Sequence, residues 1–129
     1  MSENIKYCPI KIVMKYLGRR WTIDLIRDMI MGNKKFKDFL RLNKGLSNKI
    51  LSQRLKELEY AGLVERKIIS QKPQEIEYHL TAKGFRLNHV LFELAQFSFE
   101  YHKRQIFTDK PLEKEKFVSL SKQMFSISD

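Results

Sequence analysis

The chain is poor in cysteine, with one in 129 residues, and it has three prolines and five glycines. Nothing in it approaches the roughly 18 consecutive apolar residues of a membrane span. Each scarcity excludes something. A lone cysteine cannot close an intrachain disulfide, in keeping with a reducing compartment. Its three histidines, His79, His89 and His102, lack metal-ligand spacing and join no cysteine or acid cluster, so neither a metal nor a cofactor is expected. There is no glycine-rich phosphate loop, no paired-carboxylate site and no serine near a histidine, so catalysis is unsupported. The first residues, MSENIKYCPIK, lack the apolar run of a secretory signal, and the expected location is the cytoplasm, away from membranes. Acids are scarce too: fifteen stand against twenty-five lysines and arginines, a net charge of +10.

So large an excess for a single domain implies a polyanionic partner. The charge is unevenly spread. Lys34 to Lys72 carries eleven cations and four acids, while the tail from Ile106 to Asp129 is neutral. With 43% hydrophobic residues, the length suits one core, and residues 1–129 are expected to form one domain.

Glycine and proline divide the chain into periodic segments. Pro9–Leu17 reads as a short helix with Ile10, Val13, Met14 and Leu17 on one face. Thr22–Met31 follows with Leu25, Ile26 and Met29 inward and Trp21 in the core, then Lys35–Leu42 with Phe36, Phe39 and Leu40 inward. Leu63–Ile69 and Ile76–Thr81 are rich in Val, Ile and Tyr and flank turn residues Ser70–Gln74, which predicts a β-hairpin with Pro73 at its tip. A helical pattern runs from Thr81 to about Gln105, and a last helix is expected over about 111–125 with Pro111 in its first turn.

The most informative segment is residues 45–66. Leu51, Leu55 and Leu58 form the apolar side of a helix over Ser47–Ala61, which Ser47 caps and Gly62 ends. The opposite side presents Asn48, Lys49, Ser52, Gln53 and Lys56. That set has no acid and no large apolar group, only the hydrogen-bonding groups and cations suited to base edges and phosphates. Gln53 and Asn48 suit adenine, and Lys49 suits guanine or phosphate. Arg54 falls between the faces, placed to reach phosphate or to support the preceding helix. Helices, then a hairpin, predict a mainly α fold with a small β-hairpin: a winged helix-turn-helix. Its helix-turn-helix spans about 35–61 and its wing about 63–81.

The order of residues resembles the HxlR family of transcriptional regulators, relatives of the MarR-type winged helices. The resemblance rests on Cys8-Pro9, Leu17-Gly18-Arg19-Arg20-Trp21, Phe36-x-x-Phe39, Leu46-Ser47, and Leu51-Ser52-x-Arg54-Leu55-Lys56-x-Leu58-Glu59. Gly62-Leu63-Val64-Glu65-Arg66 and Glu77-Tyr78-x-Leu80-Thr81-x-x-Gly84 complete it. It implies a homodimer on double-stranded DNA with a near-palindromic operator, responsive to a small-molecule effector or to redox chemistry. It also implies dimerisation through the helices at about 9–17 and 81–105. Family members often carry arginine at the wing tip, where this chain has Glu75, so wing contact falls to Lys72, Gln74 or Lys67. Lys35, with Lys34, Lys37 and Lys44, reads as a phosphate contact.

Cys8 precedes Pro9 at an expected helix N-terminus, between Lys6 and Lys11, a setting that favours thiolate. The matching cysteine serves redox-sensing members of the family, so Cys8 is the redox candidate. Two other readings of the basic face are an RNA-binding winged helix and a protein-interaction module. The near absence of aromatics from that face, Tyr60 apart, weighs against the first. The concentration of charge weighs against the second.

Overall fold

The computed structural model of the protein describes residues 4–128. Four helices come first: α1 (Pro9–Leu17), α2 (Thr22–Ile30), α3 (Phe36–Leu42) and α4 (Asn48–Tyr60). An antiparallel hairpin follows, β1 (Val64–Gln71) and β2 (Gln74–Leu80), and then α5 (Ala82–Phe85), α6 (Asn88–Ile106) and α7 (Lys114–Met124). This is a winged helix-turn-helix.

The core forms where the apolar faces of these helices meet. Leu25 and Ile26 of α2, Phe39 of α3, and Leu51, Leu55 and Leu58 of α4 are buried together, closed over by Leu63 and Val64 at the start of the wing. Burial of one such side chain stabilises by roughly 1.5–3 kcal/mol, so the triplet of leucines fixes α4 with its other face outward.

Four expectations change. The hairpin turn is tighter than Ser70–Gln74: pairing reaches Gln71 opposite Gln74, leaving Lys72 and Pro73 at the tip. The helix expected from Thr81 is broken after α5, and the long helix begins at Asn88. Thr81 Oγ1 accepts from the Gly84 amide at 3.0 Å and donates to the Gly62 carbonyl at 2.7 Å, so it caps one turn and ties it to the end of α4. The last helix begins at Lys114, three residues after Pro111, where Glu115 in the first turn suits the positive helix end. Trp21 is half-buried at the core's edge, with the Arg20 guanidinium 4.8 Å from its ring centroid.

The apolar residues of α6 divide between two roles. Leu91 and Phe99 are buried, and Phe99 stacks on Phe117 of α7 at 4.4 Å between centroids, with Phe107 edge-on to both. Val90, Leu94, Phe97 and Tyr101 are exposed and follow one another at four- and three-residue steps, forming a single stripe along the helix. On α1, Ile10 and Met14 are exposed as well.

Candidate nucleic-acid interface

The N-terminus of α4 is capped by a side chain and faces outward. Ser47 has extended backbone, and its side chain accepts from the Ile50 amide at 3.1 Å, the N-cap bond. No acid lies in the first turn, so the positive end of the helix is not offset by a carboxylate. Ser47, Asn48, Lys49 and Gln53 are exposed and Ser52 is half-exposed. Successive 100° steps put Lys49, Gln53 and Lys56 within a narrow strip of one face.

This face is held rigidly from behind. Asp28 of α2 is buried and accepts from Asn43 Nδ2 at 2.7 Å and from Arg27 at 2.9 Å, while the same Asn43 nitrogen donates to the Phe39 carbonyl at 2.8 Å. Asn43 opens the turn between α3 and α4, so this cluster fixes the turn against α2. Neither Asp28 nor the side chain of Asn43 is marked by any sequence motif. Asp28 lies two and three residues from the buried Ile26 and Leu25, and a buried carboxylate must find partners.

Arg54 corrects an expectation. It is only 7% exposed. Its Nε donates to the Arg20 carbonyl at 2.8 Å and its guanidinium meets Glu57 at 3.3 Å, while Glu57 also receives Arg19 at 3.5 Å. The guanidinium is directed into the protein, and it braces the corner between α1 and α2, not α3. A long side chain at the boundary of two helix faces can turn either way, and here the Arg20 carbonyl takes it.

The wing is anchored at its base and free at its tip. The Tyr78 amide donates to the Lys34 carbonyl at 2.7 Å, and Tyr78 packs edge-on to Phe39. Glu77 lies 2.8 Å from His79 Nε2 and 3.7 Å from Lys34 Nζ. The hydrogen bond from His79 first, and the neighbouring Lys34 charge less strongly, hold the Glu77 carboxyl below its ordinary value. Lys72, Gln74 and Glu75 at the tip are exposed, and Lys35 caps α3 by its backbone with a half-exposed side chain. The cations around α4 thus come from the α3 start, α4 itself and the wing tip.

Cys8 is the N-cap residue of α1, half-exposed, with Pro9 in the first helical turn; its side chain makes no capping bond. Among the described residues no group of histidine, cysteine or acids is disposed to hold a metal, and no helix is long and apolar enough to cross a membrane.

Comparison with known proteins agrees with this geometry. The family model of the HxlR-like helix-turn-helix matches residues 16–106. The HTH-type transcriptional regulator YvaP of Bacillus subtilis is 35% identical over 95 residues, covering 73% of this chain and 88% of its own. The solved reduced form of the transcriptional regulator YodB from B. subtilis is 32% identical with a TM-score of 0.65, covering 76% of this chain and 97% of that one. The redox regulator HypR in its oxidised form is 29% identical with a TM-score of 0.68, covering 74% and 98% respectively.

Proposed function

The chain belongs to the HxlR-like helix-turn-helix family of transcriptional regulators, and on that footing we propose that it acts as a homodimer on a near-palindromic DNA operator. The observation that carries this is the N-terminal half of the outward face of α4, Ser47 to Gln53, exposed or half-exposed, polar and basic, at a helix N-terminus with no acid in its first turn. Asn48 and Gln53 would offer paired hydrogen bonds to adenine, and Lys49 would take guanine or phosphate. Ser47 and Ser52 would approach the backbone or a base edge. Lys35, Lys72 and Gln74 would hold phosphates on either side and set the register without reading sequence.

The dimer would form through the exposed stripe of α6 and the exposed side of α1. Four large apolar side chains in line, 43% to 64% exposed, call for a partner surface. A two-fold dimer presents two copies of α4 to successive major grooves, with half-sites about 34 Å apart. Such a protein works in the cytoplasm, where the DNA is, and needs no catalytic group.

The trigger in this reading is Cys8. A solved structure of YodB is quinone-bound and HypR has been solved oxidised, and Cys8 is the one thiol of this chain. A disulfide would have to join two subunits or a small thiol.

Fluorescence anisotropy with a pool of random duplexes, sequencing the bound fraction at several salt concentrations, tests the reading. Enrichment of an inverted repeat with half-sites one helical turn apart is the expected result. Salt-sensitive binding without any enriched sequence would overturn it. Repeating the measurement with Cys8→Ser under a quinone or hypochlorite separates the trigger from the binding: the wild type should lose or gain affinity and the variant should not.

A further inference from the structure

One surface cleft joins the C-terminal ends of α1 and α4. It has a volume of about 480 Å³ and is lined by Lys15, Tyr16, Arg19, Lys56, Glu57 and Tyr60. We propose that this cleft is a second phosphate-binding surface, which grips the DNA backbone beyond the groove that α4 enters. The proposal rests on the operator reading above.

Tyr60 is 96% exposed, the barest of the large apolar side chains described. It stands in line with Lys49, Gln53 and Lys56 at four- and three-residue steps, so the outward strip of α4 continues to the end of the helix. Eleven residues at 1.5 Å each make that strip about 16 Å long. The major groove is about 12 Å wide, so the strip extends past base edges into the reach of phosphates.

The residues waiting at that end have the matching chemistry. Lys15 and Arg19 come from α1 and its C-terminal corner, and Lys56 from α4. Lys15 lies about 100° around α1 from Met14, so contact with DNA on one side leaves the apolar side for a second subunit. Among the described residues, Lys15 and Lys56 form no ion pair. The one acid of the cleft, Glu57, is already engaged by Arg54 and Arg19, which leaves the cleft net positive. Exposed ammonium groups and a phenolic hydroxyl are what a line of phosphate oxygens needs.

The test uses the full chain and the enriched duplex, with several flanking base pairs added at each end. Lys15→Ala, Lys56→Ala and the double variant alter exposed side chains, and thermal unfolding checks that each is folded. The double variant should flatten the plot of log affinity against log salt by about 1.8, which is two phosphates at about 0.9 each. Lys15→Ala alone should account for about half of that and leave the enriched sequence unchanged. Trimming the flanks should weaken the wild type and scarcely affect the double variant. A double variant with the wild-type slope overturns the proposal and leaves the operator reading standing. A wild type that enriches no duplex overturns the operator reading, and the proposal falls with it.

Discussion

Arg54 sits next to Gln53 in the chain and does the opposite job. Gln53 is exposed, whereas the Arg54 guanidinium is turned inward to the Arg20 carbonyl and Glu57. Replacing it with alanine removes these bonds and orphans a half-buried carbonyl. We expect Arg54→Ala to cost about 2–3 kcal/mol in chemical denaturation, yet to leave the salt slope of DNA binding unchanged. A slope reduced by about one would mean that the guanidinium touches phosphate after all. Gly84 makes the other case at this scale. A Cβ there would lie 2.1 Å from the Leu63 carbonyl oxygen, which no flexible side chain can relieve. Gly84→Ala should therefore destabilise by about 3 kcal/mol, read as a lowered unfolding midpoint. The sequence shows the glycine but cannot show what passes beside it.

Among the elements, the helices were the most legible, because caps and apolar spacing act locally. Ser47, the leucine triplet and Gly62 mark α4 within one residue at either end. The break between α5 and α6 was not legible. No glycine or proline falls at Arg86–Leu87, and the apolar period carries through the break. The one-turn α5 exists because Thr81 bonds back to Gly62, and sequence patterns do not reveal a contact between residues 19 apart. The inward turn of Arg54 and the Asp28–Asn43 bond were hidden for the same reason. The wing has a pH dependence that follows from its base. Glu77 is held below its ordinary value of 4.5, foremost by the bond from His79. The ionised carboxylate thus favours the folded wing, fully so above the ordinary value, and that contribution fades as pH falls through the lowered one. Thermal unfolding of wild type and Glu77→Gln between pH 3 and 6 should show the gap between them narrowing toward the acid end. A gap that widens in acid would reverse the assignment.

For the whole molecule, the exposed stripe of α6 decides the assembly. Leu94→Glu or Phe97→Glu places a charge in the middle of it, and burying that charge against a second subunit is costly. In analytical ultracentrifugation we expect the wild type as a dimer and each variant shifted to monomer, with the helical signal retained and operator affinity reduced at least tenfold. A dimer that survives both changes would assign the interface elsewhere. The charge asymmetry of the sequence also becomes intelligible at this scale. The cations gather around α4, the α3 start and the wing, while the neutral tail folds back as α7 onto the opposite element, α6.

That folded-back tail is part of the core. Asn88 donates its side-chain amide to the Phe125 carbonyl at 2.8 Å, and Phe125 itself belongs to the buried core. The match to the family stops at residue 106. A fragment cut to that length would expose the face of Phe99 and strand the Asn88 amide without its acceptors. It should unfold several degrees lower, and bind hydrophobic dyes that the intact chain excludes. The last twenty residues are thus a keel and not an appendage, and an affinity tag fused directly after Phe125 would load the core and not a loose end.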